Sequence, residues 1–415
     1  MGVPHVPEIH AVRRHIVKIA PTDFFSDYGC HVRILEEARR LQTHNHDVTI
    51  LTYPGGINPE NLRIIRVSRW LSSDRPRVGS RWNKLLLDPA LLAMSLGRMV
   101  GRRIDVVHAH LHEGVLIGWP LARLYRAPLV FDYQGSLTRE MVDHQFIKDQ
   151  SPALSIFGGL ERLANKLPDK ILTSSENSRT SLVENFGVAP ARVAAVTDGV
   201  DVDIFRPREL KDNDRIFRLR QRLGIPLDHL IVGYLGLLAE YQGTGDLIRA
   251  AREIISRTPN THFLVMGFPN TEAYRSAAAD AGLSTHMTFT GRIAYEDAPE
   301  MLRLLDIAVA PKRSETEGNG KVLNYMATGL PTVTYDGPVT RELLGKYGLR
   351  APVGSVPELG KSIERYLAEP NLRKTHGDGL RRRARQHYSW DRQILRILDV
   401  YASLWSPECR LPLYL

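Results

Sequence analysis

Short apolar runs alternate with segments of helical periodicity along almost the whole chain. A first set of strand-like runs falls at residues 15–20, 48–53, 106–109, 129–133, 171–174 and 193–196. A second set falls at 230–235, 262–266, 287–290, 307–310 and 332–335. Continuous apolar strands separated by helices are the mark of parallel sheets covered on both faces. The pattern therefore predicts an α/β protein with two doubly wound, Rossmann-like domains. Residues 206–226 lie between the sets, rich in charge and carrying Pro207 and Pro226 near their ends, and read as a linker. This divides the chain into residues 1–205 and residues 227–387. In the tail, Trp390, Ile394, Ile397, Leu398 and Tyr401 recur at helical spacing, which predicts a helix over residues 388–405.

Composition agrees with two soluble domains. A chain of 415 residues exceeds one ordinary core. The two cysteines, Cys30 and Cys409, cannot build a disulfide framework, which points to a reducing, cytoplasmic setting. No secretory leader and no run of membrane-spanning length is evident. The formal charge of +9 implies anionic partners. Nucleic acid is not among those expected, because zinc spacing, aromatic RNA-binding motifs and basic zippers are all missing. Residues 63–103 concentrate Arg66, Arg69, Arg75, Arg77, Arg81, Lys84, Arg98, Arg102 and Arg103 around Trp70 and Trp82. Basic and aromatic side chains together suit peripheral contact with an anionic membrane, and equally a solvated face over a core.

Residues 310–336 carry the clearest chemistry. A strand leads into an acidic, glycine-rich loop, then a helix, a Gly-Leu-Pro break and another strand. Free backbone N–H groups at such a helix start attract an anion, and the helix dipole adds to the pull. Gly318 and Gly320 allow close approach to the backbone through Asn319, Lys321 can face a phosphate, and Glu315 and Glu317 can accept from sugar hydroxyls. The loop is not a Walker A sequence, since Val322 follows the lysine. Elsewhere His108, His110 and His112 alternate, so an extended backbone would turn them to one side. No cysteine or carboxylate nearby completes a zinc set; one histidine packing at the strand end and another lining a cleft is the preferred arrangement.

Segments of this chain, in order, resemble GT-B glycosyltransferases of family GT4. DYGCHVRILEEARRL is similar to the family's N-terminal glycine loop and helix, and IDVVHAHLHEG to its first-domain strand end. VTDGVDVDIFRP resembles the interdomain turn, with Asp198 where asparagine is usual, and KVLNYMATGLPTV resembles the donor-binding motif. The resemblance implies a retaining transferase with two Rossmann-like domains facing a cleft and a last helix crossing back to the first domain. It implies a nucleotide-sugar donor, a UDP- or GDP-sugar, on the second domain and a small-molecule, glycan or lipid acceptor on the first, with no metal. Gly29, Gly267, Gly291, Arg292 and the stretch Gly318, Asn319, Gly320, Lys321, Val322 and Asn324 are the implied donor-site residues. Glu315 or Glu317, His110, His112 and Gln134 are those implied near the chemistry.

The chain also departs from the family pattern. Asn324 stands where the second motif glutamate is expected, and Leu237 and Gln242 stand where an arginine and a lysine commonly hold the diphosphate. Gln134 replaces a histidine. Each lost cation forfeits a charge-assisted bond of about 1.5–3 kcal/mol. Lys321, Lys312 and Arg313 are expected to supply the missing charge. Two alternatives follow: a lipid-linked or simple sugar-phosphate donor on the same fold, or a non-catalytic binding protein on a degenerate scaffold.

Overall fold

The computed structural model describes residues 12–26, 29–71, 84–143, 147, 151–314 and 318–405. The first domain runs β1 (His15–Ala20), α1 (Gly29–Thr43), β2 (Asp47–Thr52), β3 (Arg63–Arg66), α2 (Lys84–Met99), β4 (Val106–His110), α3 (Leu111–Tyr125), β5 (Leu129–Tyr133), α4 (Leu137–Asp143), α5 (Ala153–Lys166), β6 (Lys170–Thr173), α6 (Glu176–Phe186) and β7 (Val193–Ala195). The second runs α7 (Asn213–Arg222), β8 (Leu230–Leu237), α8 (Thr244–Arg257), β9 (Thr261–Phe268), α9 (Thr271–Asp280), β10 (Met287–Gly291), α10 (Ala298–Leu302), β11 (Ile307–Ala310), α11 (Gly320–Thr328), β12 (Thr332–Tyr335), α12 (Pro338–Leu344), β13 (Leu349–Ala351), α13 (Val356–Ala368) and α14 (Pro370–His387). The tail helix is α15 (Trp390–Trp405).

Two parallel sheets result, ordered β3-β2-β1-β4-β5-β6-β7 and β10-β9-β8-β11-β12-β13. Each reverses direction once, between β1 and β4 and between β8 and β11. The crevice outside the strand ends at such a switch point is where open α/β sheets take ligands. The apolar strands read from sequence are all present. Two edge strands, β3 and β13, were not anticipated: RIIR and LRA are too short and too charged to stand out as apolar runs.

Residues 206–226 are more than a linker. They contain α7, whose Ile216 and Leu219 join Ile225 in the second domain's core beside Leu302 and Leu380. Charge on the outer face of α7 hid this amphipathic pattern. The tail does cross back: Ile394, Ile397, Leu398 and Tyr401 of α15 pack with Ile34, Leu35, Ala38 and Leu41 of α1. The crossing is strapped to the earlier one. Val200 N donates to Tyr388 O at 2.8 Å and Trp390 N donates to Val200 O at 3.2 Å. Arg381 adds bonds to the carbonyls of Phe205 and Val202 at 2.8 and 2.7 Å.

In the basic segment, Arg66 donates its guanidinium to the carbonyls of Tyr53, Gly55 and Ile57, so it serves the local fold. Trp70 is 96% exposed, and Leu85 and Leu86 are exposed at the start of α2. Trp82 and its neighbours Arg75, Arg77 and Arg81 lie outside the described residues. Among the described residues, no helix is long and apolar enough to cross a membrane.

Candidate active site

The strand ends of both domains face each other across a solvent-open cleft with a volume of about 340 Å³. On the second domain its wall is the end of β8, the end of β9 and the turn into α11. Asn319 immediately precedes that helix and is buried, with neither side-chain Oδ1 nor Nδ2 partnered among the described residues. Lys321, in the first turn of α11, reaches across to β8. Its Nζ donates to Gln242 Oε1 at 2.7 Å and to the Tyr234 hydroxyl at 2.9 Å, lying 4.3 Å from that ring's centroid. Tyr234 in turn donates to Leu237 O at 2.6 Å. The ammonium is thus held beside the two positions where the family pattern has cations.

Glycines make this approach possible. A Cβ on Gly267 would lie 1.9 Å from the Gly236 carbonyl oxygen, a contact no side chain tolerates. Gly267→Ala is therefore expected to cost about 1–3 kcal/mol or more through overpacking, read as a lowered thermal midpoint. An unchanged midpoint would show that β8 and β9 can separate freely at their ends.

Most implied donor residues do meet here: Gly29, Gly267, Gly318, Asn319, Gly320, Lys321 and Asn324 all line the cleft, as do Gln134 and His112. Four do not. Val322 is fully buried in the second core because it faces inward from α11. Gly291 ends β10 and Arg292 follows it; neither lines the cleft, although Ile293, Ala294 and Tyr295 just beyond them do, and the Arg292 guanidinium sits 5.4 Å over the ring of Phe268. His110 is buried behind the wall. Glu315 and Glu317 lie outside the described residues. Of the expected compensating cations, Lys312 lines the cleft and donates to Gly318 O at 2.9 Å. Arg313 does not line it; its guanidinium grips the buried Asp246 at 2.8 and 2.5 Å.

The three histidines also part company. His108 and His110, on β4, stack with ring centroids 4.6 Å apart. The chain then turns through Leu111 with φ at 63°, and His112 enters α3 to pack edge-on against Phe131 and Tyr133. An extended run was the wrong premise for His112, because the strand ends before it.

Beneath the first-domain wall lies a buried charge cluster centred on Arg33, which sequence reading passed over. Arg33 Nε pairs with Asp132 Oδ1 at 2.9 Å and Glu37 Oε1 at 3.1 Å, and Nη1 donates to Asp198 Oδ1 at 2.9 Å. The i,i+4 spacing of Arg33 and Glu37 was the available signal, but it also fits an exposed helix face. Glu37, His108 and His110 bring potential ligand atoms within 4.8 Å of one another, a grouping that could hold a metal. Lys18 Nζ already occupies it, 2.6 Å from Glu37 Oε2, 3.2 Å from His110 Nε2 and 3.4 Å from His108 Nδ1. The lysine is the cluster's cation.

These surroundings set the protonation states. Burial pushes Asp132 up, but Arg33 and His110 outweigh it and hold the carboxyl below the usual range. Burial and the Lys18 charge push His110 and His108 down, so both rings are neutral. Burial lowers Lys18 while Glu37 opposes. Burial raises Asp198 against the pull of Arg33. Asp198 Oδ2 would be 3.3 Å from a Cβ on Gly318 or Gly320, so this carboxyl faces the start of α11 across the domain junction.

A model described as glycosyl transferases group 1 matches residues 216–383, and one for glycosyltransferase family 4 matches residues 29–204. The two matches divide the chain where the two sheets divide it. The chain belongs to the GT4-type glycosyltransferases. The transferase is 28% identical over 365 residues to a 2-deoxystreptamine glucosyltransferase of Streptomyces kanamyceticus, covering 82% of this chain and 89% of that protein. It is 26% identical over 324 residues to a D-inositol 3-phosphate glycosyltransferase of Corynebacterium efficiens, covering 75% and 74%. Its GT-B fold is shared with a sucrose-phosphate synthase from Thermosynechococcus elongatus, at a TM-score of 0.79 and 18% identity over 95% of this chain and 99% of that one. Anabaena HepE in complex with UDP and glucose gives a TM-score of 0.73 at 18% identity over 94% and 99%.

Proposed function

We propose that this transferase moves a glycosyl group from a nucleotide-sugar, a UDP- or GDP-sugar, to a hydroxyl-bearing small-molecule, glycan or lipid acceptor with retention of configuration. The observation carrying this reading is Lys321, stretched from the first turn of α11 to Gln242 and Tyr234 beside the unpartnered Asn319. A helix start, a lysine and glycine-lined backbone together form an anion site suited to a diphosphate. As the donor bond breaks, charge grows on the leaving diphosphate. Preorganised N–H groups and the ammonium stabilise it there without a metal ion. Asn324 would meet the ribose by hydrogen bonding. The first-domain wall, with Gln134 and His112, would hold the sugar and acceptor. Likeness to a fold that holds UDP and glucose in Anabaena HepE supports the donor class.

Lys321→Ala is expected to weaken nucleotide diphosphate binding about tenfold to a hundredfold, as loss of a charge-assisted bond predicts. Isothermal titration with UDP, GDP and ADP measures it. Affinity unchanged by the substitution would remove Lys321 from the site. If no nucleotide binds the wild-type chain, the donor reading fails, and a polyprenyl phosphate donor becomes the next arm of the same titration.

A cytoplasmic enzyme resting on the inner face of an anionic membrane is the setting proposed with it. Trp70, exposed next to Arg69 in the chain, and the exposed Leu85 and Leu86 favour that contact. Sedimentation with anionic vesicles, compared with neutral ones, tests it.

A further inference from the structure

We infer that Asp132 is a positioning residue that locks the Gln134 amide with its carbonyl oxygen toward the cleft, where it accepts a hydrogen bond from a hydroxyl of the transferred sugar. The inference rests on the nucleotide-sugar reading and assigns a specificity role within it. Gln134 follows β5, two residues beyond Asp132 and on the same side of the backbone. Its Nε2 donates to Asp132 Oδ2 at 2.8 Å.

That orientation is set by chemistry. An ionised carboxylate only accepts. Asp132 is held ionised by Arg33 at 2.9 Å, and its Oδ2 also receives His110 Nδ1 at 2.8 Å. With His110 donating through Nδ1, its Nε2 carries the lone pair that faces Lys18 Nζ at 3.2 Å. The remaining links run in the same sense. Lys18 donates to Glu37 at 2.6 Å, and the Tyr401 hydroxyl of α15 is hydrogen-bonded to His108 Nδ1 at 2.7 Å. Every buried partner of Asp132 is a donor, so the amide must present N–H inward and C=O outward. A flipped amide would set oxygen against oxygen in a buried site.

The outward atom is available. Gln134 is half-buried and lines the cleft, and among the described residues no group donates to its Oε1. A histidine at this place could offer a ring N–H; the glutamine carbonyl offers only an acceptor. Such an edge recognises an O–H and discriminates against a sugar in which that hydroxyl is replaced by hydrogen or an ether.

Isothermal titration of the full chain with UDP and with UDP-glucose tests this. In Gln134→Leu, UDP should bind as in wild type, while UDP-glucose weakens roughly three- to tenfold, the range of one neutral hydrogen bond. Asp132→Asn should lose part of the same sugar-dependent factor, and adding Gln134→Leu to it should lose no more than Gln134→Leu alone, because one residue acts through the other. Should Asp132→Asn fail to fold, Gln134→Glu probes the contact with Asp132 in place. Its carboxylate sets like charge against Asp132 and cannot hold the amide's geometry, so at fixed pH the ratio of UDP-glucose to UDP affinity should fall below that of wild type. A wild-type ratio in that variant, or equal treatment of the two ligands by Gln134→Leu, overturns the inference. A wild-type chain that binds neither ligand overturns the donor reading, and this inference with it.

Discussion

Arg33→Met should destabilise the first domain by about 3–5 kcal/mol, the cost of leaving buried charges without their partner. The guanidinium is 2% exposed and lies against three carboxylates, Glu37, Asp132 and Asp198. Burial opposes its charge, but Asp132, Glu37 and Asp198 outweigh that and raise its pKa above the ordinary value. Lys18 alone cannot neutralise what remains, since it already serves Glu37. Arg33→Lys should recover only part of the loss, because an ammonium cannot fork between Asp132 and Asp198. Urea unfolding of the three chains provides the comparison. A loss below about 1 kcal/mol would mean that the carboxylates are relieved by protonation at small cost.

The second large effect is acid sensitivity. Burial lowers His31 to about 3 and His262 to about 4, and it also lowers His108, His110 and His112. In the unfolded chain these rings titrate near 6.5. Between the two values the unfolded state binds the extra proton, so stability rises with pH and is lost as pH falls from 7 toward 4. Each ring kept neutral at pH 5 removes about 2 kcal/mol, so a few of them match the whole stability of an ordinary domain. Asp88 works in the opposite sense: burial raises it to about 6, and its contribution grows as pH falls toward 3.8. Burial also raises Asp198, Glu36, Asp306 and Glu342, which act in the same sense as Asp88. Carboxyls gain only once pH falls below their own folded values, whereas the rings lose from about 6.5 downward. The thermal midpoint should drop steeply between pH 6.5 and 4.5 in a buffer series. A flat profile over that range would show that the buried rings accept protons in place.

Much of the architecture is legible from local pattern. A parallel strand covered on both faces must be apolar along its length, so β1, β5, β11 and β12 stand in the sequence with the bounds they have in the fold. The donor-side turn is equally legible, since glycines, a lysine and a helix start within a few residues have few other uses. Edge strands and α7 escape because their apolar content is small and their outer faces are charged. His112 was misjudged with its neighbours because one residue, Leu111, reverses the backbone before it. Arg292 was placed in the site because it follows a strand's carboxyl end, whereas its guanidinium packs over Phe268 and the next residues, Ile293 to Tyr295, line the cleft instead.

The sequence by itself determined the fold class, the two domains, the presence of a tail helix and the turn into α11, because each rests on short-range periodicity or on residues adjacent in the chain. The return of that helix to the first domain was what the family resemblance implied. Only the tertiary structure decided which charges meet. Arg33 joins residues 99 and 165 positions away, and Lys18 meets His110 across 92. It also decided that Lys321, rather than Arg313, stands where family cations are missing, because Asp246 claims the arginine. Electrostatic partnership depends on distance in space and on the exclusion of water, and neither is written in the spacing of residues along a chain.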